Sequence, residues 1–317
     1  MRYREFGNTG IKVSEIGFGA WAIGGNEHGN SYGPTEDKMS LEAVAKALEL
    51  GCNFFDTADV YGCGHSEELL GKALRSVRDR VVIATKVGGN FYSGPGRQDF
   101  SPDYVRFAIE KSLQRLQTDY LDVYQLHNPP LKLIERAETY AVLKELKREG
   151  KIRAWGVSIF DPVEGLAAIK LGNPDCIQVV YNIFTTKAAD ELFQRAQLVG
   201  CALVAREPLA NGFLSGKYDD DSQFVAGDIR HDWPREYIRA RTRAAHQLAQ
   251  LAETASRTLT QMALKFVLAR AEVSVVIPGI KTTEQCEHNL SASDADELGQ
   301  AELTAIADLA ARNFDIA

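Results

Sequence analysis

Runs of almost uninterrupted apolar and β-branched residues recur along the chain: "VSEIGFGA", "NFFDTA", "RVVIATK", "YLDVYQLH", "IRAWGVS", "CIQVVYN", "ALVAREP" and "VSVVIPG". Each has the length of a strand, and the lack of polar alternation predicts that both faces are covered. Between most of them the period changes. "SEELLGKALRSV", "YVRFAIEKSLQRLQ", "AETYAVLKELKREGK" and "LTQMALKFVLAR" bring apolar residues back every three or four positions, often behind a Ser, Thr or Asp suited to capping a helix. Strand and helix therefore alternate. Eight such units in 317 residues predict an α/β fold, a closed (β/α)8 TIM barrel of parallel strands. The competing arrangement is an open doubly wound sheet, which would place GxGxxG after its first strand. Here "GFGAWAIGG" has other spacing and leads into a long polar loop. No interdomain linker interrupts the pattern, so residues 1–317 are expected to form a single domain.

Two stretches stand outside the repeat. "RYREFGNTGIKVSEI" reads as two short strands about an Asn-Thr-Gly turn, an N-terminal β-hairpin closing the barrel bottom. Residues 217 to 238, "KYDDDSQFVAGDIRHDWPREYI", are polar and irregular. They follow the seventh strand and are expected to add to the active face, where long connections carry function.

Charge and composition narrow the partners. A formal net charge of −7 with 45% hydrophobic residues offers no basic stripe for nucleic acid or for an anionic membrane surface. No window approaches the roughly 18 apolar residues of a membrane span. The opening "MRYREFGNTG" is charged from its second residue and lacks a signal-peptide core, which predicts a cytoplasmic protein acting on small molecules. The five cysteines, Cys52, Cys63, Cys176, Cys201 and Cys286, are scattered without CxxC spacing and are expected to be reduced thiols. "GCGH" sets Cys63 and His65 two residues apart, far short of a coordination set, and no metal is expected.

In a barrel of this kind the C-terminal ends of the strands form the active face. The polar residues that close the apolar runs here are Asp56, Lys86, His127, Ser158, Gln178 and Arg206, with Tyr61 five residues beyond Asp56. Taken singly, Asp56 and Lys86 read as a buried ion pair and His127 as a satisfied core histidine. Four such groups at successive stations of one rim read as an acid/base unit, in which the carboxylate neutralises the ammonium and the ammonium stabilises a nearby phenolate. The Tyr61 pKa is then expected to fall below its reference of roughly 10.

Over essentially its whole length the sequence resembles the aldo-keto reductases. "GFGAW", "DTADVYG", "SEELLGKAL", "IATK", "LQTDYLDVYQLH", "GKIRAWGVS", "PLANGFLSGKY" and "IPGIKTTEQCEHN" match that family's blocks in order and at the usual separations. The resemblance implies NADPH or NADH bound across the barrel mouth without a Rossmann unit, and reversible hydride transfer between the nicotinamide and a carbonyl or alcohol. It implies Tyr61 as the general acid, Lys86 and Asp56 as the groups that tune it, and His127 as the group that orients the carbonyl. By the same resemblance Ser158 and Gln178 hold the nicotinamide carboxamide. Pro208, Leu209 and Lys217 lie beside the pyrophosphate, and Gly279, Lys281, Gln285 and Asn289 form the adenosine-phosphate site. Trp21 lines the substrate pocket.

Three positions qualify the match. "GVSIF" puts Ile159 where many relatives have an asparagine that helps hold the carboxamide, which removes one hydrogen bond of roughly 0.5–1.5 kcal/mol. Arg206 stands where many relatives stack an aromatic ring under the nicotinamide. Its planar guanidinium can stack instead, or pair with Glu207 or Asp228. Lys281 is a cation where the 2′-phosphate of NADP would lie, so NADP(H) is favoured and NAD(H) remains possible.

Two other functions compete with a reductase. Some members of the family serve as cofactor-binding regulatory subunits of ion channels with residual reductase activity, although here the sequence opens directly on the hairpin and no N-terminal arm acting on a partner is expected. An aldolase-like lyase could use Lys86 as a Schiff-base amine, which Asp56 opposes by keeping it protonated. The loops expected to set the substrate are "GGNFYSGPGRQDF" and residues 217 to 238, whose mixture of glycine, polar and aromatic residues suits a polyol, a sugar, an aldehyde or a ketone equally.

Overall fold

In the computed structural model, which describes residues 1–27, 31–94 and 96–315, the eight apolar runs form eight parallel strands that neighbour one another in chain order. An antiparallel pair comes first, β1 (Tyr3–Glu5) and β2 (Lys12–Ser14). The barrel strands are β3 (Phe18–Gly19), β4 (Phe54–Asp56), β5 (Val82–Val87), β6 (Leu121–His127), β7 (Ile152–Ser158), β8 (Cys176–Val180), β9 (Ala202–Arg206) and β10 (Val273–Ile277). Their connections carry α1 (Asp37–Glu49), α2 (His65–Leu74), α3 (Pro102–Leu116), α4 (Leu131–Ile134), α5 (Ala141–Arg148), α6 (Pro162–Leu171), α7 (Leu192–Val199), α8 (Arg235–Thr254) and α9 (Leu259–Leu268). After β10 come α10 (Thr283–Leu290) and α11 (Gln300–Ala311).

Two of the four quoted helical stretches are capped as expected. Ser101 accepts from the Tyr104 amide ahead of α3, with Pro102 in the first turn, and Thr258 with Gln261 makes a reciprocal cap on α9. The polar stretch after β9 ends earlier than its composition suggests. Arg235 already belongs to α8, because Pro234 has a φ of −56°, preset for a helix start, and Ile238 is the first residue of that helix to reach the core.

The sheet closes between β3 and β10, where neither strand runs on long enough for a regular ladder. Gly17 donates to the Val276 carbonyl at 2.8 Å, Val276 to Glu15 at 2.9 Å, Gly19 to Pro278 at 3.0 Å and Ile280 to Gly19 at 3.3 Å. Gly19 is required for that approach, since a Cβ there would lie 2.7 Å from the Pro278 carbonyl oxygen.

Below, the hairpin plugs the barrel. Phe6, Ile11 and Val13 join the inward-facing Phe54, Val82, Ala84, Val123, Ala154, Ala202, Val204 and Val275 in one apolar cluster, with the Phe6 and Phe54 rings 5.7 Å apart. Arg4 ties the hairpin to the wall by donating to the carbonyls of Leu268 and Val273 at 2.8 and 2.9 Å. Side chains fill that end of the barrel. Among the described residues no helix is long and apolar enough to cross a membrane.

Candidate active site

The parallel register sets the strand-end side chains next to one another. Lys86 pairs with Gln125 across β5 and β6, His127 with Ser158 across β6 and β7, and Ser158 with Gln178 across β7 and β8. Four of these strands thus deliver Lys86, His127, Ser158 and Gln178 to one rim, and Asp56 closes β4 beside them.

Lys86 is fully buried and donates to Asp56 Oδ1 at 2.6 Å, to the Thr57 carbonyl at 2.8 Å and to the Tyr61 hydroxyl at 3.3 Å. All three ammonium protons are accounted for, so the charge is compensated where water is absent. Burial alone would lower the lysine pKa, but Asp56 and Tyr61 outweigh it and hold the ammonium above its ordinary range. An amine held in that state is no Schiff-base nucleophile. The other oxygen of Asp56 accepts from Gln178 Nε2 at 2.7 Å. That bond commits the amide nitrogen of Gln178, one of the residues expected to hold the carboxamide, and leaves its carbonyl free for such a role.

Tyr61 opens a short turn wedged against residues 22 to 24. Gly62 follows it at φ 60°, and a Cβ there would lie 2.2 Å from the Gly24 carbonyl oxygen. Only glycine lets the turn seat so deeply, and the seating fixes where the phenol points. Trp21 stacks at 6.0 Å from the Tyr61 ring, and His127 meets it edge-on at 5.7 Å. The expected fall in the Tyr61 pKa is not found. Burial pushes it up and Asp56 adds to the rise, which the Lys86 charge only partly offsets. The phenol is therefore the neutral donor at pH 7. His127 shifts in the opposite direction, because burial and then the Lys86 and Arg206 charges hold its pKa well below the usual imidazole range. A neutral imidazole faces a neutral phenol.

The buried Ser158 hydroxyl has no partner among the described residues. Such an orphan at the mouth suits a ligand amide. Ile159 is buried, with its amide bonded to the main-chain carbonyl of Gln178 at 2.9 Å, and its side chain offers no polar group where an asparagine would. Arg206 takes the pairing alternative: its guanidinium bonds Glu207 and donates to the Ile159 carbonyl at 3.1 Å, while Asp228 is taken by Arg230 at 2.6 Å. The guanidinium also lies 5.1 Å from the Phe160 ring.

Beside this cluster a groove of about 410 Å³ runs over the ends of β9, β10 and β3. It brings together Pro208, Leu209, Lys217, Gly279, Lys281, Gln285 and Asn289; Ser158, Gln178 and Arg206 lie outside it, nearer Tyr61. Gln285 accepts from the Lys281 amide at 2.8 Å, and Asn289 donates to the Gly279 carbonyl at 3.4 Å, which holds the segment after β10 in a fixed turn. Tyr32, Asn211 and Arg230 also line the groove and were not singled out from the sequence. Tyr32 donates to Asn211 Oδ1 at 2.8 Å and stands 5.0 Å from Trp21, joining groove to mouth. Arg230 lies 4.8 Å from the Tyr32 ring and donates to the Tyr218 hydroxyl at 2.7 Å. Its place in the polar stretch after β9 was the available signal, but nothing local distinguishes it from the other charges there. Asp59, two residues before Tyr61, was passed over as well. It is buried, and burial together with Glu67 pushes its carboxyl pKa well above the usual range, while Arg115 acts the other way.

A parallel barrel with a tyrosine, lysine, aspartate and histidine at its mouth and a groove holding Lys217 and Lys281 alongside defines a class of oxidoreductase. Residues 15–311 match the model of the aldo/keto reductase family, and the chain belongs to that family, whose members interconvert carbonyls and alcohols with a nicotinamide cofactor. It is 34% identical to the aldo-keto reductase YhdN of Bacillus subtilis, over 90% of this chain and 87% of that one. It is 32% identical to an NADH-specific methylglyoxal reductase of Escherichia coli, over 93% and 96% of the two chains. In structure it is similar to the glycerol dehydrogenase of Gluconobacter oxydans, with a TM-score of 0.83, 27% identity, and 99% and 97% of the chains covered.

Proposed function

We propose that the whole chain acts as one NADP(H)-preferring reductase of small aldehydes, ketones or sugars, with Tyr61 as the general acid in reduction and the general base in the reverse direction. The observation that carries this is the contact of the Tyr61 hydroxyl with the buried Lys86 ammonium at 3.3 Å, which Asp56 anchors from the far side. A bound nicotinamide supplies or accepts the hydride. As negative charge grows on the carbonyl oxygen, Tyr61 gives up its proton to it, and the Lys86 charge behind stabilises the phenolate that remains. His127, neutral, keeps one N–H to orient the carbonyl oxygen and adds no competing charge. Trp21, stacked on Tyr61, bounds the space where that carbonyl sits. Ser158 and the free carbonyl of Gln178 suit the two ends of a carboxamide, and Pro208, Leu209, Gly279, Gln285 and Asn289 frame the rest of the cofactor. Arg206, engaged with Glu207, closes the rim behind the nicotinamide site.

The preference for NADP rests on Lys217 and Lys281, which line one groove with Arg230, whose charge Asp228 offsets. Burial, helped by Arg230 and Lys217 and opposed by Asp228, brings the Lys281 pKa down to about 8. A phosphate there favours the charged form and would raise that pKa again. The pH dependence follows in sign: a ligand that prefers charged Lys281 binds with full strength below about 8 and weakens as pH rises through the free group's pKa. NADPH is thus expected to bind more tightly than NADH at pH 7, with the gap narrowing in Lys281→Ala and, in the unaltered protein, toward pH 9. Fluorescence titration with both cofactors measures this, and an unchanged ratio of dissociation constants in the variant would remove the role. Turnover is tested by following nicotinamide absorbance with a panel of aldehydes, ketones and sugars and each cofactor in parallel.

A further inference from the structure

A second cavity, of about 400 Å³, opens beside His127 over the ends of β4, β5 and β6, a different sector of the rim from the cofactor groove. Val60, Phe91, Arg97, Gln98, His127 and Asn128 line it. Val60 precedes Tyr61 and His127 meets its ring edge-on, so the cavity adjoins the Tyr61 turn. The charge of the lining is one-sided. Among the described residues no Asp or Glu faces the cavity, and Asp99, two residues from Arg97, is turned away to accept from the Ser101 amide at 2.9 Å. Among the described residues Arg97 makes no ion pair and no side-chain hydrogen bond. By contrast the other guanidinium near the mouth, that of Arg206, is neutralised by Glu207. The remaining polar lining is amide: Gln98 donates weakly to the Asn128 main-chain carbonyl at 3.4 Å, and the buried side-chain oxygen of Asn128 has no partner among the described residues.

We propose that this cavity is the subsite for the far end of the substrate, and that Arg97 selects carbonyl compounds carrying a carboxylate there. This rests on the reading of the chain as a carbonyl reductase. A guanidinium matches a carboxylate with two parallel hydrogen bonds, and the flat Phe91 ring suits an apolar spacer between the anion and the reacting carbonyl. Arg97 touches neither reacting atom nor hydride, so its effect falls on substrate binding and not on the proton transfer at Tyr61.

The discriminating pair is 4-formylbenzoate and its neutral isostere 4-formylbenzamide, assayed as reduction by NADPH. The benzoate is expected to have the higher kcat/KM, and Arg97→Gln is expected to lower the charged-to-neutral ratio by about tenfold, through KM, since a hydrogen bond to a charged group contributes at least that much. Arg97→Lys should fall between, retaining charge without the fork. A ratio near one in the unaltered protein, or one that Arg97→Gln leaves alone, overturns the assignment. Benzoate binding to the cofactor complex, read by tryptophan fluorescence, separates the two readings. If neither aldehyde is reduced, the reductase reading fails, and benzoate weakened by Arg97→Gln still supports the carboxylate subsite, whereas equal binding to both proteins removes it.

Discussion

Tyr61→Phe is expected to lower kcat by about 100- to 10,000-fold, the usual contribution of a positioned general acid, while cofactor affinity stays close to that of the unaltered protein. The ring volume is preserved, so the stack on Trp21 and the edge contact with His127 survive. What disappears is the donor to the developing alkoxide, together with the acceptor of one Lys86 bond. Because the Tyr61 pKa is raised and not lowered, the neutral phenol persists to alkaline pH, and reduction should not collapse just above neutrality for want of this proton. The measurements are kcat and the cofactor dissociation constant on the folded variant. A kcat within about threefold of the unaltered value would take Tyr61 out of the mechanism.

Lys86→Met should damage both stability and activity. It removes the donor from Asp56, from the Thr57 carbonyl and from Tyr61 at once, and leaves a carboxylate at 3% exposure with only the Gln178 amide to answer it. Breaking a buried pair on one side typically costs about 3–5 kcal/mol. The double variant Asp56→Asn with Lys86→Met removes the stranded charge and should recover most of that loss without recovering turnover. Denaturant midpoints of the two proteins decide the point: if the double variant is no more stable than the single one, the pair does not behave as a compensated buried charge. The raised Lys86 pKa has a matching pH signature. Its contribution is present in full below the unfolded lysine value of about 10.4 and fades only as pH climbs through the higher folded value.

The strands and the four site groups were legible because each left a local mark. An apolar run that ends in Asp56 or His127 is anomalous in a core and ordinary at a barrel rim, so the anomaly itself pointed to the rim that carries the candidate site. A Ser or Thr ahead of a helical period was a readable signal too, and Ser101 and Thr258 carry it. The direction of the Tyr61 pKa was not, because it depends on a competition between burial and one ammonium, and burial is set by the 22–24 turn that Gly62 admits. Nor could the sequence reveal that Gln178 anchors Asp56 across 122 positions of chain, or that Arg206 would choose Glu207 over Asp228. Tyr32 and Arg230 gain their places through contacts with distant loops. Propensity and spacing carry no trace of such contacts.

The barrel wall is thinnest where β3 and β10 meet, and the same backbone that seals it also floors the groove, through Gly279 and Lys281. Opening of the wall and occupancy of the groove are therefore linked equilibria. A ligand that binds only the sealed form raises the free energy of local opening by about 2.7 kcal/mol when present at a hundred times its dissociation constant. The amide protons of Gly17, Gly19 and Ile280 should then exchange with solvent about a hundredfold more slowly, while that of Phe6, bonded to Ile11 within the hairpin at the opposite end, keeps its rate. On the proposed reading of the groove, a bound nucleotide would act as a clasp across the seam between the first and last strands of the barrel.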